Sequence, residues 1–132
     1  MLVSKKTSFD AAHFLPNYKG KCSNLHGHHW EVEVACSGEV NEKSGMVIDF
    51  TQLKDFFGWI DRVFDHQSVN EVVENPTAEN ICKRIYDEFN MWCVARNLKF
   101  EYVKVWETED SMAELSSKDV EPLRAMFGKI ML

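Results

Sequence analysis

The chain has 132 residues, 45% hydrophobic and 27% charged, the proportions of one ordinary globular domain rather than of a disordered or membrane-spanning chain. Fifteen Lys and Arg against 21 Asp and Glu leave a net charge of -6, which argues against a nonspecific nucleic-acid binder, since that needs a basic face. A small anionic ligand stays compatible with this balance, because a local basic loop overrides the net sign.

The opening stretch MLVSKKTSFD lacks an apolar run long enough for a signal peptide. No segment approaches the roughly 18 apolar residues of a spanning helix. The expectation is a cytoplasmic protein with no membrane partner, folded as a single domain over residues 1–132. Cys22, Cys36, Cys82 and Cys93 form no CxxC pair and read as free thiols, either core filler or reactive.

Residues 2–13 read as an extended segment, with Val3, Phe9, Ala11 and His13 on one face. Pro16 to Gly20 breaks the chain. From His28 to Cys36 the alternation is clearer: His28, Trp30, Val32, Val34 and Cys36 face one way, His29, Glu31 and Glu33 the other. A polar turn follows over 37–45. Asp49 with Gln52 has the spacing of a capping box, and Phe50, Leu53, Phe56, Phe57, Ile60 and Phe64 then recur at helical spacing. Asn75-Pro76-Thr77 is a second helix start, with the proline placed in the first turn. Its apolar stripe runs from Ala78 through Ile85 and Phe89 to Cys93. Period two returns over 100–108, where Val103, Val105 and Glu107 share a face. A short strand is expected over 112–116 and a final helix over 119–127. Strands around two amphipathic helices predict an α+β sandwich, an antiparallel sheet with the helices on one face.

The most specific signal lies in Cys22-Ser23-Asn24-Leu25-His26-Gly27-His28-His29. On a strand, His26 and His28 project from the same face, close enough to ligate one ion. Gly27 between them leaves room for another backbone or a ligand. His13 ends the preceding strand, so a hairpin would bring three histidines together. Three neutral imidazoles with an open fourth position describe a catalytic zinc site, and imidazole disfavours magnesium. The bland alternative is an ordinary half-buried HxH pair. His29 is the rival ligand, but its parity turns it to the other face.

Four further features carry weaker signals. In Asp65-His66 the carboxylate can orient the ring for acid–base work, and a solvated helix terminus explains the dipeptide equally well. Glu107 extends an inward-facing strand parity, so it needs either a salt-bridge partner or a ligand, such as a planar guanidine-like edge bound through two parallel hydrogen bonds. Cys22 lies in a loop four residues before His26, where a nearby metal or charged histidine would make it a base or nucleophile. Lys19 and Lys21 flank Gly20 and are candidates for an anionic substrate tail or merely a solvated turn.

Together these pieces resemble the 6-pyruvoyltetrahydropterin and 6-carboxytetrahydropterin synthase family. The resemblance rests on Phe9-Asp10-Ala11-Ala12-His13, Cys22-x-x-Leu25-His26-Gly27-His28, Gly45-Met46-Val47-Ile48-Asp49-Phe50, Asp65-His66-x-x-x-Asn70, Asn75-Pro76-Thr77-Ala78-Glu79-Asn80 and Glu107-Thr108, in family order. It implies the tunnelling fold, in which four-stranded sheets from several subunits join into a barrel, and a homohexamer built from two trimers. It implies zinc (Zn2+) on His13, His26 and His28, and a catalytic triad of Cys22, Asp65 and His66. It implies a pterin ring anchored by Glu107 with help from Thr77, and 7,8-dihydroneopterin triphosphate as substrate.

The gap Cys22-x-x-x-His26 is short, as in the carboxy-producing branch, which feeds deazapurine (queuosine) synthesis and releases acetaldehyde and triphosphate. Pyruvoyl-producing members usually carry two more residues there. A pyruvoyl-type elimination and a noncatalytic zinc- or pterin-binding protein are the rival readings. His29-Trp30 and Val69 depart modestly from the family pattern, and the tail from Asp119 to Leu132 extends past it.

Overall fold

The structure is a computed structural model and describes residues 1–120. The order of elements is β1 (Leu2–His13), a one-turn 3-10 helix (Lys21–Ser23), β2 (His26–Ser37) and α1 (Phe50–Phe64). A second 3-10 turn (Val69–Glu71), α2 (Ala78–Val94), β3 (Lys99–Thr108) and β4 (Ser111–Ser116) follow. The strands form one antiparallel sheet in the order β1-β2-β3-β4. Both helices pack on the same side of it, α1 chiefly against β1 and α2 against β3 and β4. The α+β expectation holds. Of the final helix expected over 119–127, residues 117–120 are helical and the remainder lies outside the described residues.

Strand parity decides which residues enter the core. Phe9, Ala11 and His13 of β1, Trp30, Val32 and Val34 of β2, and Val103 and Val105 of β3 are all buried. They meet Leu53, Phe57, Ile60 and Phe64 of α1 and Ile81, Ile85 and Phe89 of α2. The β2–β3 register shifts between Ala35 and Cys36, with Glu101 of β3 as the extra residue; Ala35 and Cys36 are both fully buried. Cys82 and Cys93 lie on the core face of α2, as their spacing predicts. The Cys82 thiol donates to the Val103 carbonyl at 3.3 Å, and burial pushes its pKa up to about 12. The opposite, helix-free face is polar: Lys6 pairs with Glu31 at 3.1 Å, and Lys104 lies between Glu33 and Glu114.

Local signals differ from expectation in three places. β2 begins at His26 rather than His28, because the ladder with β1 continues to a His13–His26 pair. Asp49 caps α1, but its side chain accepts from the Thr51 N–H at 2.9 Å and not through a reciprocal box with Gln52. Pro76 precedes the cap of α2 instead of occupying its first turn. Thr77 is the N-cap, and its hydroxyl accepts from the Asn80 N–H at 3.1 Å.

Phe89 ties the layers together, with ring centroids 5.0 Å from Phe56 of α1 and 6.2 Å from Phe100 of β3. Phe89→Ala is expected to cost about 3–5 kcal/mol, read as a lower urea midpoint with an unchanged slope.

Candidate metal centre

The antiparallel register places the histidines. His13 and His26 face each other at the open end of the β1–β2 ladder, and His28 lies opposite Ala11, two positions farther in. All three share one face of the sheet. On β3, Glu31 pairs with Trp106, so Glu107 projects on that same face toward the histidine end. Trp30 lies against the cluster, edge-on to His13 at 4.9 Å and to His28 at 5.5 Å, and its indole N–H donates to the Ala11 carbonyl at 3.3 Å.

Hydrogen bonds settle the tautomers of two rings. His13 Nδ1 lies 2.8 Å from the Pro76 carbonyl, and His26 Nδ1 lies 2.7 Å from the Asn24 carbonyl. A carbonyl only accepts, so both Nδ1 atoms carry protons and the neutral rings keep their lone pairs on Nε2. Those two Nε2 atoms are only 3.1 Å apart. Two lone pairs at that distance repel unless a cation lies between them.

His28 adds a third ligand atom. Its Nε2 is buried without a hydrogen-bond partner, although it approaches Glu107 Oε1 at 3.1 Å. That separation is short, but the geometry does not make a hydrogen bond. Burial holds the His28 pKa below its usual value of 6.5, His13 and His26 lower it further, and Glu107 opposes them. His28 is therefore neutral, with a lone pair free to donate, at neutral pH.

Glu107 Oε1 also lies 3.3 Å from His13 Nε2, and the four ligand atoms all fall within 4.8 Å of one another. Two ligands in a tetrahedral shell at zinc–nitrogen distances stand about 3.3 Å apart, close to the separations found here. The group fits a metal ion of that kind. Glu107 was expected to meet either a salt-bridge partner or a ligand; the β2–β3 register brings it against two imidazoles.

The remaining candidates sit around this centre. Among the described residues, the cluster of mutually close ligand atoms includes neither Cys22, Asp65 nor His66. Cys22 is half-buried in the one-turn helix Lys21–Ser23, not an open loop, and its carbonyl accepts from the Leu15 N–H at 2.8 Å. Asp65 caps the end of α1. One of its carboxylate oxygens accepts from the Asp10 N–H at 3.0 Å, and the other lies 3.0 Å from His66 Nδ1. The Asp10 N–H first, then His66, holds the Asp65 carboxyl below the usual carboxylate range. His66 adopts a left-handed conformation with φ of 58°, kept by its N–H donating to the Asp10 carbonyl at 2.7 Å. Its ring is 80% exposed. Thr77 lies beside the centre in sequence, next to the Pro76 carbonyl that holds His13. His29 turns away, as its parity predicts, and bonds Asp10 at 2.8 Å. Lys19 and Lys21 are exposed.

Comparison with known proteins agrees with this architecture. A family model described as 6-pyruvoyl tetrahydropterin synthase matches residues 2–118. An Archaeoglobus fulgidus protein provisionally named 6-carboxy-5,6,7,8-tetrahydropterin synthase is 44% identical over 115 residues, covering 87% of this chain and 95% of its own. A Pyrococcus furiosus protein named dihydroneopterin monophosphate aldolase is 33% identical over 110 residues, covering 83% of this chain and 92% of its own. The solved 6-pyruvoyl tetrahydropterin synthase of Caenorhabditis elegans superposes with a TM-score of 0.78 at 25% identity, covering 89% of this chain and 95% of that one.

Zinc is expected to raise the melting midpoint at neutral pH, by about 2.7 kcal/mol of added stability at a hundredfold excess over Kd. His26→Ala removes that response. The sign with pH follows from His28. Its folded pKa lies below the unfolded value of 6.5, so the unfolded chain binds more protons in that interval. His28 therefore makes the metal-free protein lose stability as pH falls through about 6.5, and melting curves from neutral to mildly acidic pH read that slope. In His28→Gln the slope flattens.

Proposed function

The chain belongs to the 6-pyruvoyl tetrahydropterin synthase family, a family of tunnelling-fold pterin enzymes, and we propose that it converts 7,8-dihydroneopterin triphosphate to 6-carboxy-5,6,7,8-tetrahydropterin. One water is consumed, acetaldehyde and triphosphate leave, and the product enters deazapurine (queuosine) synthesis. The observation that carries this reading is the convergence of three imidazole Nε2 atoms, two left with lone pairs by their Nδ1 bonds and the third buried without a hydrogen-bond partner. The short Cys22-x-x-x-His26 gap and the name of the Archaeoglobus relative favour the carboxy product.

His13, His26 and His28 would hold zinc. When bound, zinc supplies Lewis acidity toward the substrate's side-chain hydroxyls, acidifying the adjacent C–H. Cys22 as thiolate takes that proton. Asp65, kept ionised by the Asp10 N–H, orients His66 through Nδ1, so that His66 Nε2 is the atom that moves protons at the side chain. Glu107 accepts two parallel hydrogen bonds from the amino-pyrimidine edge of the pterin, and Thr77 helps hold that ring.

The subunit alone leaves His66 largely in water. Among the described residues the sheet ends in free edges at β1 and β4, apart from an isolated bridge from Ala12 to Ser68. Sheet edges of this kind pair with other chains. A homohexamer of two trimers, closing the sheets into a barrel, would cover the dyad and exclude bulk water from the reaction.

Two other reactions suit the same residues. A pyruvoyl-type synthase eliminates triphosphate and keeps the carbon chain, and the aldolase named for the Pyrococcus relative acts on a dihydroneopterin monophosphate. Product identification after incubating zinc-loaded protein with 7,8-dihydroneopterin triphosphate separates these outcomes. The expected products are carboxytetrahydropterin and acetaldehyde. Cys22→Ala is expected to keep full zinc content and lose at least about a hundredfold in kcat, the usual scale for a missing proton-transfer group. Unchanged turnover in that variant would remove Cys22 from the mechanism, and zinc and pterin binding without turnover in the wild type would favour a noncatalytic binding protein.

A further inference from the structure

His13 is the one buried polar side chain among the described residues, 1% exposed. Outside the ligand cluster its ring bonds the Pro76 carbonyl at 2.8 Å. That carbonyl keeps the proton on Nδ1 and the lone pair on Nε2. Whatever aims the carbonyl belongs to the outer shell of the metal centre, where the partners of ligating histidines fix ring orientation and tautomer.

A local turn does the aiming. Asn75, Pro76 and Thr77 form a tight turn, closed by the Thr77 N–H donating to the Asn75 carbonyl at 2.8 Å. Pro76, at its centre, has a fixed φ and no N–H to donate. The same Asn75 carbonyl accepts a second bond, from Asn80 Nδ2 at 2.8 Å. Asn80 lies in the first turn of α2, three residues past the Thr77 cap, and its own N–H donates to the Thr77 hydroxyl at 3.1 Å. In a capping box the side chain at this position accepts from the N–H of the cap. Here it donates instead, to a carbonyl two residues before the cap. Packing does not hold the outer side of the turn, because a hollow of about 780 Å³ opens over Asn75 and Asn80. The end of β1 is held separately. Both backbone polar groups of Phe14 bond the Asn70 side chain, each at 2.9 Å, so the His13 backbone stays in place without help from Asn80.

We propose that Asn80 is a positioning residue of the metal centre: its side-chain amide fixes the Asn75 carbonyl and with it the Pro76 turn, whose own carbonyl holds His13 Nδ1 protonated and turns Nε2 to the ligand cluster. Without that bond the Asn75 carbonyl keeps only the Thr77 N–H and the turn loosens. The His13 ring then gains its other tautomer, with a proton on the atom that would bind the metal. This inference rests on the metal-binding reading of the cluster, and not on the reaction assigned to it.

The test uses the full-length protein with Asn80→Ala and Asn80→Asp. Alanine removes the amide without adding charge. Aspartate keeps the size of the side chain, suits the first turn of a helix and cannot donate when ionised. Competition with a chelator reads zinc affinity, and the metal-free melting midpoint reads the integrity of α2. Solvent exchange of the His13 Nδ1 proton, followed by NMR in zinc-loaded protein, reads the ring itself. Both variants are expected to bind zinc about 10–100-fold more weakly and to exchange that proton faster, while Asn80→Asp keeps the wild-type metal-free midpoint. Wild-type zinc affinity in Asn80→Ala would overturn the proposal. So would weaker affinity with an unchanged His13 proton, or with an equal loss of metal-free stability in both variants, since Asn80 would then serve only the helix. A wild type that binds no zinc removes the metal reading and the proposal with it. The expected zinc and proton responses in a protein that turns over no dihydroneopterin triphosphate would uphold the role of Asn80 and defeat only the assigned reaction.

Discussion

The Nε2 atoms of His13 and His26 face each other at 3.1 Å while their Nδ1 protons are committed to the carbonyls of Pro76 and Asn24. This repulsive pairing organises the rest of the site. A single proton would relieve one pair of rings, but it would leave the buried Nε2 of His28 unpartnered. A divalent ion satisfies all three rings at once. The arrangement also ties distant segments together. The Pro76 carbonyl sits just before α2, so the start of that helix fixes the tautomer of a residue that ends β1. Trp30 meets His13 and His28 edge-on and backs the cluster with an apolar wall.

Around that centre the chemistry is divided between the two faces of the sheet. The inward face carries the histidines and Glu107, backed by the core. The Asp65–His66 dyad instead hangs on the edge of β1 through the backbone of Asp10, with its carboxylate held ionised and its ring exposed. A group able to hold a metal ion thus lies beside a solvent-facing Asp65–His66 pair. On the proposed reading, subunit assembly would cover the β1 edge and bring those parts to bear on one substrate.

Much of the fold was legible because periodicity carries it. The shift from period two to helical spacing at Asp49 and at Thr77 marks both helices, and Phe9, Trp30, Val103 and Phe64 fall in the core as their parity requires. The bulge at Glu101, opposite Ala35 and Cys36, was not legible, since no glycine or proline marks it. The cap chemistry was only partly so: Asp49 was visible, but whether its partner is Thr51 or Gln52 depends on rotamer and not on spacing. The same limit applies at the site. His26-Gly27-His28 announces a shared face, yet the proximity of Glu107 depends on the β2–β3 register, which a single sequence does not encode locally. Asp10 enters the sequence reading only within the Phe9–His13 motif, and its backbone turns out to anchor the dyad.

The account turns on a metal ion held by three imidazoles and by no thiolate, despite Cys22 lying four residues before His26. X-ray absorption at the zinc edge of the loaded protein tests this directly. The predicted first shell holds only nitrogen and oxygen at about 2.0–2.1 Å, with the outer-shell scattering of three imidazole rings. A sulfur neighbour at about 2.3 Å, or fewer than three imidazoles, would contradict it.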